Sequence, residues 1–374
     1  MSFKIVPINI DHYPSWNGFT DNQKYSSLYN LSEWHKIIQT IYGHNSYYFI
    51  ANNIDYKVDL LINSTTNNKI DHKNIIGTLS FVKIKSWFFG NHLISIPYFD
   101  SGGILTTDKQ AEIAFLVKSV DLAENLGVTH IELRQNYPLL SAKDFVSNQA
   151  VWNLCLSNKK VRMVLDIHEN SELLMKSFAS KLRSQIRKPI KEGLIAKIGG
   201  VELVDDFYHV FAENMRDLGS PVHSKKFIAE TLKAFPKTAN VFVVYGNQKP
   251  LAGSVAIGFK DTLSNPWASS LRRYSHLAPN MLLYWSMLEF ACQQGYKRFD
   301  FGRSTPGEGT YKFKEQWGAK PEPLYWYRLS KSGDQSWGSQ PDKNKMSKAI
   351  EYWKKLPVPL TKIIGPRIRK YISL

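Results

Sequence analysis

The chain has 374 residues, 43% of them hydrophobic and 21% charged, with a formal net charge of +16. That length is too great for one ordinary domain and comfortable for two, and the apolar share excludes a chain that stays disordered throughout. Two cysteines, Cys155 and Cys292, exclude a disulfide scaffold and fit a reducing, cytoplasmic setting.

In chain order, residues 1–11 lack the apolar core of a signal peptide. Hydrophobic spacing then predicts an amphipathic helix over 34–42 and an apolar strand over 47–51. A polar loop is expected over 63–68, followed by strands over 76–81 and near 93–97. Next come a helix over about 110–126 and a strand over 130–134. A linker is expected between 158 and 172. Beyond it, 178–193 reads as a basic helix carrying Lys181, Arg183, Arg187, Lys188 and Lys191, which Pro189 should kink or end. The second half predicts a helix over 227–235, strands over 241–245 and 252–257, a helix over 280–294 and a strand over 298–301.

Residues 330–342 read as a polar linker. The tail from 331 to 374 supplies +7 of the +16, with Trp353, Leu356, Val358, Leu360, Ile363 and Ile364 set among its lysines. Such a segment either lies on a membrane surface or packs back on the first domain. No run reaches the roughly 18 apolar residues of a membrane span. The positive excess favours nucleic acid, anionic lipid or phosphorylated substrates without choosing among them.

The two halves read alike. Leu126-Gly127-Val128-Thr129-His130-Ile131-Glu132-Leu133 aligns with Gln294-Gly295-Tyr296-Lys297-Arg298-Phe299-Asp300-Phe301. In each, a helix stops at a glycine suited to a left-handed cap, and an acid sits between two apolar strand residues. Strand, strand, helix, strand in each half predicts an α/β (α+β) fold of two tandem domains with mixed sheets. The expected boundaries are 1–160, 161–330 and a basic tail 331–374.

From 298 to 319 a strand runs into a glycine-rich loop and a basic, aromatic cluster. That combination suits a grip on an anionic or acyl-bearing substrate at a strand end. Asp300-Phe301-Gly302-Arg303-Ser304 and Phe313-Lys314-Glu315-Gln316-Trp317-Gly318-Ala319, with the repeated halves, resemble the FemAB-type aminoacyltransferases. More narrowly, the chain is similar to the FemAB-like proteins associated with exosortase/PEP-CTERM systems. Trp34, Tyr42-Gly43-His44, Lys85-Ser86-Trp87-Phe88-Phe89-Gly90-Asn91, Leu93-Ile94-Ser95-Ile96-Pro97, Gly102-Gly103, 278–285, Lys355-Leu356-Pro357 and Gly365-Pro366 carry the narrower likeness. It spans roughly 25 to 370.

The resemblance implies two tandem GNAT-like domains that move an aminoacyl or related acyl group onto an amine of an envelope precursor, in a peptidoglycan or exopolysaccharide context. It implies aminoacyl-tRNA as donor and a cytoplasmic, possibly membrane-peripheral enzyme without a bound cofactor. CoA-dependent GNAT enzymes carry a glycine-rich pyrophosphate loop at a helix start, and neither 101–108 nor 270–280 fits that pattern, which lowers acyl-CoA as donor. An acyl-CoA-dependent N- or O-acyltransferase acting on polysaccharide sugars, and a noncatalytic assembly protein, are the alternatives.

An aminoacyl ester is already activated, so its transfer needs a neutral amine and a stabilised oxyanion but no enzyme nucleophile. The sequence holds no Gly-x-Ser-x-Gly elbow and no metal-ligand spacing among its ten histidines, so no metal site is expected. By the resemblance, Phe313-Lys314 is the family's Phe-Lys pair, with Lys314 binding the terminal phosphate of the donor or polarising its ester. Arg303 after Gly302 could clamp phosphate, or pair with Asp300 or Glu315. Asp300 either accepts the amine proton or anchors the loop. Asp108 is a further acid near the acceptor by the same resemblance, although Thr107 with Gln110 also reads as a capping box. Substrate contacts are expected from Gly302, Arg303, Ser304, Arg272, Arg273 and Asn280, and stacking from Tyr311, Phe313 and Trp317, although an aromatic run is more often core.

Overall fold

The computed structural model describes residues 2–9, 12–53, 71–86, 90–147, 151–331 and 343–373. The expected loop over 63–68, the run Trp87-Phe88-Phe89 and nearly all of the expected linker over 330–342 lie outside the described residues. The chain divides into two compact units. The first comprises 1–159, 323–339 and 373–374; the second comprises 160–322 and 340–372.

The first unit begins with β1 (Phe3–Pro7), α1 (Tyr13–Asn22), α2 (Glu33–Tyr42), β2 (Asn45–Asn53), β3 (Ile75–Ser86), β4 (Gly90–Ile94) and β5 (Leu105–Thr106). It continues through α3 (Lys109–Asn125), β6 (His130–Gln135), α4 (Ala142–Ser147) and β7 (Trp152–Ser157). The second unit has β8 (Val161–Asp166), α5 (Ser171–Ser177), α6 (Ser180–Lys191), β9 (Ile195–Gly199), α7 (Val204–Asp217) and α8 (Lys225–Ala234). Then come β10 (Ala239–Gly246), β11 (Lys249–Phe259), β12 (Thr262–Ser270), α9 (Pro279–Gln293), β13 (Arg298–Ser304), α10 (Gly309–Glu315) and β14 (Lys320–Pro323). Strand β15 (Tyr325–Lys331) returns to the first unit, while α11 (Lys343–Lys355) and α12 (Val358–Arg369) belong to the second.

Each unit is built on one mixed sheet. The first has the order β1-β2-β3-β4-β6-β15-β7, with β5 against β3; the second has the order β14-β8-β13-β12-β11-β10-β9. Among the described pairings, β4 with β6 and β12 with β13 are parallel. In both units a long helix, α3 or α9, connects the parallel pair, as a parallel connection requires. Both helices end ahead of a glycine with positive φ, Gly127 at 60° and Gly295 at 76°. The duplication legible in the sequence is therefore a duplication of this strand-helix-strand unit.

Helix α9 reads apolar almost all round, which marks a helix enclosed by its own unit. Met281, Leu282, Leu283, Tyr284, Trp285, Met287 and Leu288 are all buried. They pack with Phe242, Leu263, Phe299 and Trp317 in one core. In the first unit Phe49, Phe81, Phe115, Ile131 and Trp152 form the counterpart. Burying one such side chain contributes about 1.5–3 kcal/mol.

One expectation narrows and two need correction. The division between the units falls at 159/160, inside the expected span 158–172, but the connection is only 158–160, because β8 and α5 occupy most of the rest. The second domain does not run on to 330, because β15 pairs with β6 and β7 of the first sheet. Helices 343–369 group with the second unit, not the first. Period-two apolar spacing marks β15 as a strand but carries no information about which sheet receives it.

Candidate active site

The second unit's parallel pair is short. Its register covers Thr262↔Arg298, Leu263↔Phe299 and Ser264↔Asp300 only. Beyond these, β12 continues along β11 and β13 continues along β8, each across an irregularity. Pro266, directly after Asn265, lacks an N–H and cannot continue a ladder, which is a local cause for the break in β12. Two parallel strands that stop pairing leave a notch at their carboxyl ends, where ligands of open α/β sheets bind.

Gly302 lies at this notch with φ +76°. An added Cβ would meet the Asn265 carbonyl oxygen at 3.5 Å and, its chain neighbours aside, nothing else among the described residues within 4 Å, so the place beside Gly302 is roomy. Its N–H donates to Asp300 Oδ1 at 2.8 Å. Lys314 is buried, and its Nζ donates to the Gly302 carbonyl at 2.9 Å and the Arg303 carbonyl at 2.8 Å. The ammonium thus clamps the strand end from α10. Asp300 Oδ2 faces Arg162 at 3.6 Å, and Arg162 also pairs with Glu322, which pairs with Arg298. Arg303 is opposite Arg162 in register and half-buried. Ser304 is buried at the strand's end, and its Oγ has no hydrogen-bond partner among the described residues.

Beneath the notch lie residues that sequence reasoning missed. The Ser254 hydroxyl reaches Asn265 Oδ1 at 3.0 Å and the Trp267 carbonyl oxygen at 2.9 Å. Tyr284 of α9 stacks on Phe301 with ring centroids 5.3 Å apart. Burial pushes its phenol up to about 12, against a smaller opposing effect of Asn265, so it keeps its proton at neutral pH. The strand β12 was not expected from the sequence, although the Asn-Pro pair was a legible sign of a ladder break. Nothing in an apolar helix distinguishes Tyr284 from its core neighbours.

The remaining candidates separate. Trp317 is fully buried and packs edge-on against Phe178, with Phe313 packed on Tyr284 and Trp317. Trp317 is therefore core and has no face open to a base; Phe313 packs with it, and Tyr311 packs partly exposed on the same core. Arg272 and Arg273 lie on an exposed 3-10 turn before α9, where Arg273 pairs with Glu213. Asn280 is in the first turn of α9. Asp108 belongs to the first unit and caps α3, its Oδ1 accepting the Ala111 N–H at 2.8 Å. The capping residue is thus Asp108 rather than Thr107, and its carboxylate is engaged by backbone. Elsewhere on the second unit, Arg183, Arg187, Lys188 and Lys191 line an open hollow of about 390 Å³ along α6.

The first unit shows what the same place looks like when closed. By register Glu132 corresponds to Asp300, and Arg134 to Gly302. Arg134 has no solvent exposure. It donates from Nε to Glu132 at 2.8 Å and from one terminal nitrogen to the carbonyls of Ile96 (2.9 Å), Phe99 (2.7 Å) and Ser373 (3.2 Å). Its own carbonyl accepts the N–H groups of Gly102 and Gly103, both at 2.9 Å. Arginine and loop fill the notch in the first unit. In the second, glycine leaves it open, and the Lys314 ammonium takes the place of the loop's N–H donors.

Residues 176–315 match the family described as Acetyltransferase (GNAT) domain. None of the curated proteins matches the chain. Among solved structures, FemX is similar with a TM-score of 0.63 at 13% identity, covering 86% of this chain and 96% of that one. A tandem GNAT protein from the clavulanic acid biosynthesis pathway is similar with a TM-score of 0.54 at 8% identity, covering 89% and 100%. A conserved protein from Bacteroides thetaiotaomicron VPI-5482 is similar with a TM-score of 0.55 at 9% identity, covering 88% and 100%.

Burial acts to raise the Glu132 carboxyl, but Arg134 and Arg328 outweigh it and hold the group below its ordinary 4.5. A depressed folded-state value contributes stability that is fully present above 4.5 and is lost as pH falls through the lower folded value. Resistance to urea should therefore fall on acidification below that range, and Glu132→Gln should flatten this part of the pH dependence. Arg134→Met, which leaves the buried carboxylate with Arg328 and strips the Ile96 and Phe99 carbonyls of their donor, should cost about 3 kcal/mol at neutral pH. An unchanged unfolding midpoint in Arg134→Met would contradict the plug.

Proposed function

From a chain whose second unit is a GNAT acyltransferase domain within a tandem GNAT-like fold, we propose that the notch between β12 and β13 holds the acyl group of an activated donor for transfer to an amine. The observation that carries this reading is the contrast between Gly302 and Arg134: one corresponding place is open, the other filled. The amine nitrogen attacks the donor's carbonyl carbon, and the tetrahedral oxyanion then expels the ester oxygen, or sulfur from a thioester. The amine loses a proton and the leaving atom gains one. No covalent enzyme intermediate is needed.

Lys314 acts here as a positioning residue, since its ammonium fixes the Gly302 and Arg303 carbonyls. Asp300 orients the same turn through the Gly302 N–H. Arg303 and Arg272 supply cations toward an anionic donor, and Ser304 supplies a hydroxyl at the strand end. Asp108 has a capping role in this reading.

The donor favoured is an aminoacyl ester on RNA. Pro279 opens α9 without an N–H, and the Met281 N–H is bonded back to the Ala278 carbonyl at 3.0 Å. The helix start is thereby poor in free donors for a pyrophosphate. The cationic face of α6, with Arg183, Arg187, Lys188 and Lys191, suits a phosphate backbone. The acceptor is an amine on an envelope precursor, peptidoglycan or exopolysaccharide, following the likeness to FemAB-type and exosortase-associated proteins. The matched family description favours a second reading, in which acyl-CoA is the donor.

Two measurements test this. Gly302→Arg carries the first unit's residue into the open notch; it should lower turnover at least 100-fold while left-handed strain costs only about 1–2 kcal/mol of stability. Retained turnover would sink the notch assignment. Replacing Arg183, Arg187 and Lys188 together by alanine should weaken aminoacyl-tRNA binding and reduce the magnitude of its log–log salt slope by roughly 3. If instead acetyl-CoA is turned over and the triple variant is fully active, the thioester reading replaces the RNA one.

A further inference from the structure

Helices α11 and α12 have two contrasting faces. One docks on the second unit. On α12 it carries Thr361, Gly365 and Arg369, spaced four apart and all buried. Gly365 sits so close to Val222 that an added Cβ would lie 3.2 Å from its backbone nitrogen. Arg369 donates from Nε to His223 at 3.2 Å and from a terminal nitrogen to the Ile372 carbonyl at 2.8 Å. Between the helices, Arg216 donates to the Leu356 carbonyl at 2.9 Å, and Ile350 of α11 packs over Gly219.

The opposite face is exposed, and it is not the polar face expected of a helix that merely meets water. On α12 it carries Leu360, Ile363 and Arg367, spaced three and four apart. Ile363 is 61% exposed and Leu360 41%. On α11 the exposed residues include Lys348, Tyr352 and Lys355, spaced four and three apart, with Tyr352 71% exposed. Residues 343–373 hold nine Lys or Arg and a single acid, Glu351, which is paired with Lys354. Aliphatic side chains, a tyrosine and flanking cations on one face match a bilayer's layers: acyl boundary, interface and anionic headgroups. No described helix is long and apolar enough to cross a membrane, so a surface mode is the one this geometry allows.

We propose that the α11–α12 face binds an anionic phospholipid surface, with Leu360 and Ile363 entering the interface and Lys348, Lys355 and Arg367 meeting headgroups. Nucleic acid would use the cations but has no use for exposed leucine and isoleucine. A second copy of this chain would bring the same +8 segment against itself, which like-charge repulsion opposes. The proposal concerns a surface apart from the notch and stands whichever acyl donor is used.

The test is co-sedimentation of the full chain with vesicles of phosphatidylcholine alone or mixed with phosphatidylglycerol. The wild-type chain should pellet with the phosphatidylglycerol vesicles, and added salt should weaken this. Leu360→Ser combined with Ile363→Ser should lower the binding roughly tenfold or more. Both positions are exposed, so an unchanged urea midpoint serves as the control for folding. Failure to pellet at low salt would overturn the proposal, as would pelleting unaffected by the double variant. A concentration-dependent dimer, or tRNA binding, lost in the same double variant with no vesicle binding would assign the face to those partners instead.

Discussion

The second unit's site rests on one charged hydrogen-bonding group. A buried ammonium from α10, Lys314, holds two consecutive carbonyls where β13 has left its parallel neighbour. Backbone carbonyls at that point have lost their ladder partners, and an unsatisfied buried carbonyl costs about 1–3 kcal/mol. Satisfying them with a loop closes the notch; satisfying them with a side chain arriving from beyond the strand end leaves it open. The site's emptiness and the lysine's burial are therefore two aspects of one arrangement.

The duplicated architecture supplies its own comparison. Both units have the same strand-helix-strand core and an acid at the same register position, Glu132 or Asp300. They differ two residues later. Arg134 brings a guanidinium whose charge has to be neutralised and whose donors have to be met, so carbonyls of 96, 99 and 373 converge on it. Gly302 brings nothing, and its left-handed φ turns the chain so that Asp300 can bond its N–H. One residue type thus separates a filled notch from an open one.

Much of the fold was legible in the residues. Helix spacing, the glycines at 127 and 295 and the apolar strands are local signals, and the elements they predict occur within a few residues of the expected ends. The stretch from Asp300 to Lys314 was also legible as the place of interest. The direction of its lysine was not: Lys314 points at the Gly302 and Arg303 carbonyls, whereas the core reading of Trp317 and a cap at the start of α3 were already open from the residues. Tyr284 and Asn265 were missed because a core tyrosine and a strand asparagine look ordinary until an unpaired strand edge lies beside them.

The sequence alone determined the two α/β halves, their common order and the cationic excess, because periodicity, capping and charge are properties of neighbouring residues. Only the tertiary structure decided that β15 crosses into the first sheet, that α11 and α12 dock on the second unit, and which notch is filled. Each of those outcomes depends on pairing between residues far apart in the chain. Arg134 and Ser373 are the clearest case: a hydrogen bond across 239 positions has no local signature.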